Sequence, residues 1–136
     1  MGLALADSIN GPYTMLSKPV TDNKTAIEDG YAFMYHKKIA LLTTDNHGII
    51  EKGGGILWLS DDGKTFDYYE QGFKPIENYI AFDKSKAKRH YGSSIAKFER
   101  PQVLMQKGKP AYIYVASGTN IYGGDCTVSY VLKVQE

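Results

Sequence analysis

The chain has 136 residues, 43% of them hydrophobic and 23% charged, which is typical of a single globular domain. Its formal net charge of +1 gives no electrostatic reason to expect nucleic acid or an anionic membrane as a partner. The single cysteine, Cys126, excludes an internal disulfide framework and a cysteine-based zinc site.

The first twenty residues predict one isolated strand. Turn residues at Asn10–Pro12 and Pro19 flank a short apolar run, Tyr13–Leu16. The opening Met1–Ser8 is too short, and lacks the basic start, for a signal peptide. No apolar run approaches the length that spans a membrane, so no membrane partner is predicted.

A four-stranded antiparallel meander is predicted next, because apolar runs rich in aromatic and branched residues alternate with turn residues such as Asp61–Gly63. One such meander is the unit from which β-propellers are built. The predicted strands are Tyr31–Tyr35, Ile39–Thr44, Ile56–Ser60 and Thr65–Tyr69. The glycine-rich loop Gly48–Gly55 lacks the lysine and the following helix of a phosphate loop, so no nucleotide cofactor is expected.

The pattern changes in residues 71–95. Apolar side chains recur at near-helical spacing in Ile76–Ala87, and Lys84–Arg89 carries a cluster of basic residues. The segment predicts a short helix or an irregular excursion, and the cations suit a helix C-terminus.

Strand patterns return in residues 96–136, at Ala96–Phe98, Gln102–Gln106, Pro110–Ala116 and Cys126–Val134. This unit repeats the first in outline, since Asp29 and Glu99 each precede a strand and a short hairpin turn follows. We therefore predict an all-β protein of antiparallel meanders forming about two propeller blades. Residues 10–70 would form the first blade with its preceding strand, 71–95 the connection and 96–136 the second blade.

The aromatic content has two interpretations. Eleven tyrosines and one tryptophan suit sugar binding, because a pyranose has one apolar face and a hydroxyl rim. Tyrosine is also simply frequent in strands. His36 and His47 lie in predicted loops, so no metal site is predicted.

Four segments resemble a known group of enzymes. They are Ile27–Phe33, Leu41–Gly48, Leu57–Phe66 and Phe98–Gly118. Together they look like the C-terminal half of the five-bladed propeller glycoside hydrolases, the group that contains families 43 and 117. The resemblance spans residues 10 to 118. It implies a ring of carboxylates facing a central funnel, with the acid and base of inverting members roughly 6.5–9.5 Å apart.

The resemblance also implies roles for individual residues. Asp29 matches the carboxylate that orients and tunes the acid, Glu99 matches the acid, and His90 resembles a histidine near that glutamate. Residues expected to contact the sugar are Asp45, Asn46, His47, Trp58 and Arg100.

Each of these residues also has a structural interpretation. Asp29 before a glycine is a common turn residue, and Glu99 is able to form a surface ion pair. His47 beside Gly48 is a natural solvent-exposed loop tip. The catalytic base of the resembling enzymes comes from a first blade well over a hundred residues earlier, whereas 28 residues precede Asp29 here. A monomer of this chain is therefore expected to be inactive in hydrolysis.

Three functions follow as hypotheses. The first is carbohydrate binding by a truncated or excised relative of such a hydrolase, which would place the protein in the periplasm or outside the cell. The second is a non-catalytic assembly module whose sheet edges self-associate, and the third is a hydrolase completed by a second chain. Both carbohydrate hypotheses require Asp29 and Glu99 to face a shared funnel, and both fail if the two carboxylates lie on opposite faces. An open two-blade fragment is expected to form a homodimer.

Overall fold

The computed structural model describes residues 1–21, 25–89, 96–124 and 127–135. Strands make up 48% of the protein, which confirms the predicted all-β class. In chain order the strands are β1 Ala4–Leu5, β2 Thr14–Met15, β3 Glu28–Tyr35, β4 Lys38–Thr44, β5 Gly55–Ser60, β6 Tyr68–Phe73, β7 Lys88–Arg89, β8 Glu99–Gln106, β9 Lys109–Ser117, β10 Thr119–Asn120 and β11 Val128–Lys133.

The predicted meander is present as a four-stranded antiparallel sheet in the order β3-β4-β5-β6. Its last strand begins at Tyr68, three residues later than predicted. The turn before it is extended by Asp62, whose Oδ1 accepts hydrogen bonds from the backbone N–H groups of Lys64 and Thr65. Phe66 then pairs with the N-terminal segment, because its N–H donates to the carbonyl of Val20 at 2.7 Å.

The second unit is a three-stranded antiparallel sheet in the order β11-β9-β8. The strand predicted at Ala96–Phe98 does not form there, and β8 begins at Glu99. Phe98 instead donates its N–H to the carbonyl of Gly53, at 3.1 Å, in the loop between β4 and β5. The segment before β8 is thus fastened to the first sheet.

The hairpins β3–β4 and β8–β9 repeat one another in detail. Each begins with a bulge at which two residues face one, and the bulges hold Asp29 and Arg100 at positive φ, 58° and 53°. These two residues are 71 positions apart. At the same offset, the two-residue turns His36–Lys37 and Lys107–Gly108 also have positive φ throughout. The structure therefore contains a repeated hairpin, in which Arg100 rather than Glu99 is the counterpart of Asp29.

The four-stranded sheet is covered on both faces. Successive side chains of a strand point to opposite faces, so neighbouring residues of β4 belong to two different core clusters. Leu42 of β4 faces the three-stranded sheet, in a cluster with Phe98, Val103 and Val115. Leu41 points the other way, into a second cluster that the N-terminal segment completes. Its buried members are Val20, Ile27, Leu41, Ile56, Trp58 and Phe66.

The structure decides two other predictions. The segment Ile76–Ala87, predicted as a short helix or an irregular excursion, is irregular apart from one short 3₁₀ turn, Ile76–Asn78. Asp83 then forms a separate turn, accepting the Ser85 N–H at its side chain and the Lys86 N–H at its carbonyl. The run Tyr13–Leu16, predicted as an isolated strand, instead pairs with β1 in a two-stranded antiparallel sheet. In the described part of the chain, no helix is long and apolar enough to cross a membrane.

Candidate functional site

Asp29 joins the two sheets at one end of the fold. Its Oδ2 atom accepts a hydrogen bond from the Thr44 hydroxyl at 3.0 Å and another from the Arg100 backbone N–H at 3.1 Å. The bulge requires left-handed backbone here, which aspartate tolerates better than most residues. Because of these bonds, the starts of β3 and β8 are held side by side.

Glu99 lies at the same end, in a second polar group. Lys97 Nζ is 2.8 Å from Glu99 Oε1 and 2.8 Å from Asn46 Oδ1. The Lys97 and Glu99 side chains are 21% and 19% exposed, so solvent reaches them only in part. The carboxylates of Asp29 and Glu99 therefore belong to adjacent strand ends, each with its own set of polar partners. We call Asp29, Asn46, Lys97, Glu99 and Arg100 the polar end.

Asp45 has a structural role beside the polar end. Its side chain is buried, and its two oxygens accept four backbone N–H groups, those of residues 48, 49, 50 and 51, at 2.7–3.0 Å. Burial raises the pKa of Asp45, but the four hydrogen bonds outweigh it and hold the pKa below its ordinary value of 3.8. Both oxygens are occupied in shaping the loop, so the geometry leaves Asp45 no sugar contact.

The same loop explains one of its glycines. A Cβ on Gly54 would lie 2.6 Å from the carbonyl oxygen of Phe73. Gly54 itself bonds to Asp45, whose N–H donates to the Gly54 carbonyl at 2.9 Å. The absence of a side chain therefore lets this loop lie directly on strand β6.

Trp58 and His47 occupy different environments. Trp58 is 1% exposed, donates its indole N–H to Thr43 Oγ1 at 3.0 Å and packs against Tyr69. Its ring is a core element, and this packing offers no face to a sugar. His47 is exposed at the tip of the loop that follows β4, next to Asn46, and the Arg100 side chain is exposed as well. His90 lies outside the described residues.

Two members of the arrangement escaped sequence reasoning. Lys97 is two residues before Glu99, and in an extended segment such residues lie on one side of the chain, so this spacing was the available signal. Thr44 ends β4 opposite Glu28, one residue from Asp29, a pairing that becomes visible only once the register is known.

Among the residues that the structure describes, no group of three or more histidine, cysteine, aspartate or glutamate side chains is placed to hold a metal ion. No protein family, curated protein or solved structure matches this chain.

Proposed function

We propose that this protein binds carbohydrate at the polar end. The observation that carries the proposal is that Asp29 and Glu99 lie at adjacent strand ends. Asp29 accepts the Arg100 backbone N–H at 3.1 Å, and Lys97 contacts both Glu99 and Asn46 at 2.8 Å. Carboxylate and amide groups are able to hydrogen-bond the hydroxyls of a sugar, and partly exposed groups remain accessible to it.

Hydrogen bonds hold the polar end in place, which lowers the entropic cost of ordering its side chains when a ligand binds. The Asp29–Arg100 contact ties the two bulges together, and the Phe98 N–H ties the segment that carries Lys97 and Glu99 to Gly53. The polar end contains two carboxylates, one lysine and one arginine, and Glu28 beside it is a further exposed carboxylate. This end therefore has no positive excess to attract an anion, and a neutral sugar is the ligand class we expect.

Substitution of the two carboxylates tests this proposal. Asp29→Asn retains an oxygen acceptor for Thr44 and Arg100, and Glu99→Gln retains the side-chain length. Loss of a charged hydrogen bond costs about 1.5–3 kcal/mol, so each variant should bind its glycan at least about tenfold more weakly. A glycan array followed by calorimetric titration measures the change.

Asp67→Asn is the matched control, because Asp67 is exposed on the connection to β6. It should bind as the unsubstituted protein does, and thermal unfolding should be similar for all three variants. An absence of binding to every glycan at millimolar concentration would refute the proposal.

The three-stranded sheet favours a second candidate function, self-association. Its outer face presents Leu104, Tyr114 and Val131, which are 40%, 44% and 56% exposed. Tyr114 and Val131 are direct cross-strand neighbours. Strand β11 is paired with β9, and no strand of the described residues pairs with its other edge. An apolar face beside an unpaired edge is a surface at which a second copy is able to pack.

We expect a homodimer that buries more than roughly 1,000 Å². Val131→Asp should shift the dimer to monomer, because the substitution places a charge in the apolar contact between the two copies. Val131 is 56% exposed in the single chain, so the same charge should leave the fold of the monomer intact. Light scattering across the micromolar range measures the mass, and Thr65→Asp on a distant exposed turn is the control. A mass equal to one chain at all concentrations would contradict this expectation.

Glycoside hydrolysis found only in the dimer would favour a site completed across chains.

A further inference from the structure

The two repeated turns enclose a cleft at the end of the fold opposite the polar end. It lies between His36–Lys37 and Gly108–Pro110 and has a volume of about 580 Å³. Residues Val134 and Gln135, which follow β11, close its third side. His36 is seven positions after Asp29, or roughly 23 Å at about 3.3 Å per residue, so the cleft and the polar end are separate sites.

The charge around this cleft is of one sign. Its rim carries Lys37 and Lys109, and an adjoining recess that shares Lys109 and Val134 adds Lys107 and Lys133. No aspartate or glutamate is among the described residues that line either space.

Three of these lysines are available to a ligand. Lys37, Lys107 and Lys133 are exposed, and no described carboxylate forms an ion pair with them. Lys37 and Lys107 sit in tight two-residue turns, which fix the positions of their Cα atoms. A ligand with several negative charges would gain most from ammonium groups held apart on a fixed frame.

The wall of the cleft narrows the ligand class. Tyr35, Pro110 and Val134 supply apolar surface between the basic residues. A sugar ring has an apolar face that fits such a wall, and sulfate esters on the ring would reach the lysines. Lysine acts as a point charge without the planar fork of arginine, so it suits anions distributed along a chain. The sequence pI of about 7.8 is low for a nucleic-acid-binding domain.

We propose that this cleft binds a sulfated oligosaccharide, with Lys37, Lys107 and Lys133 neutralising the sulfates and Tyr35 and Pro110 packing on a ring. This second site does not depend on sugar binding at the polar end.

A sulfated heparin hexasaccharide and its desulfated form test the proposal by calorimetric titration of the full chain. We expect the sulfated probe alone to bind, and binding to weaken at least tenfold when salt rises from 50 to 200 mM, roughly as for three released counterions. The variant Lys37→Asn/Lys107→Asn/Lys133→Gln should bind at least tenfold more weakly. Asparagine is chosen at the two turn positions because it tolerates positive φ.

Lys18→Gln/Lys64→Gln/Lys74→Gln removes the same charge from exposed sites elsewhere and should change affinity less than twofold. Asp29→Asn should leave hexasaccharide binding unchanged, which separates this cleft from the polar end. Equal losses in the two triple variants would overturn the proposal, as would tighter binding to a single-stranded oligonucleotide or to phosphatidylserine vesicles. No binding of the sulfated probe to the correctly folded protein, verified by circular dichroism, would also overturn it.

Discussion

Replacing Asp45 by alanine should lower the free energy of unfolding by at least about 3 kcal/mol. The substitution removes a carboxylate that accepts four backbone N–H groups and leaves those groups without their partner. A hydrogen bond to a charged group contributes about 1.5–3 kcal/mol, and buried donors left unpaired add a further cost. Urea unfolding at pH 7 measures the loss.

The stability contributed by Asp45 should also depend on pH. The pKa of Asp45 is below its ordinary value in the folded protein, because the four hydrogen bonds outweigh burial. A group with a lowered folded pKa stabilises the protein above its unfolded pKa and loses this effect as pH falls through the folded value. The difference in the free energy of unfolding between the unsubstituted protein and Asp45→Ala should therefore be largest at pH 7 and should shrink below about pH 4.

Asp62 provides the matched control. Its Oδ1 atom also accepts two backbone N–H groups, but the side chain is exposed, so water replaces it when it is removed. Asp62→Ala should destabilise the protein much less than Asp45→Ala. Equal losses in the two variants, or a loss at Asp45 that does not change between pH 7 and pH 3, would contradict the role assigned to Asp45.

Most of the sheet structure was predictable from local patterns. Strands β4 and β5 are apolar runs bounded by turn residues, and the structure places them within one residue of the predicted limits. Strand β6 was displaced because the Asp62 side chain extends the preceding turn, an effect of hydrogen bonding rather than hydrophobicity. Ala96–Phe98 has a strand-like composition, but Phe98 bonds to Gly53, a contact across more than forty residues that no local window contains.

The candidate site was predictable in part for the same reason. A carboxylate before each of two repeated hairpins was visible in the sequence, and repetition brings the two hairpin starts together. The sequence did not show whether a given side chain is buried or exposed. Asp45 and His47 are close in sequence, yet Asp45 is buried in backbone hydrogen bonds and His47 is exposed. Trp58 was expected at a surface because tryptophan suits sugars, but its indole N–H found a buried partner in Thr43.

The repeat also explains why one fold presents two unlike ends. Strands β3 and β8 lie side by side, so each feature of one hairpin has a neighbour in the other. At their starts the bulges place the Asp29 carboxylate against the Arg100 backbone N–H, and that end carries side chains of both charges. At their far ends the turns place Lys37 near Gly108 and Lys109, which makes that end basic. The repeated hairpin thus separates an end with side chains of both charges from a basic end.

Replacing Phe98 by alanine should cost about 3–5 kcal/mol, the range for a fully buried aromatic side chain. Phe98 is wholly buried, and its ring packs against Phe73 of β6 and Tyr130 of β11 at centroid distances of 6.2 and 5.3 Å. It therefore fills the space between the two sheets. Since domains of this size are stabilised by about 5–15 kcal/mol, the variant should be partly unfolded or show a much lower urea midpoint.

Phe98→Leu should be milder, at roughly 1–2 kcal/mol, because most of the apolar volume remains. Its fold should survive, so the effect on the polar end becomes measurable. Phe98 lies between Lys97 and Glu99, and a shifted ring would move both side chains, so glycan affinity should fall while the sulfated probe still binds the distant cleft. Tyr122→Ala, at an exposed position, should change stability by less than about 0.5 kcal/mol. If Phe98→Ala were as stable as Tyr122→Ala, the two sheets would not share the core described here.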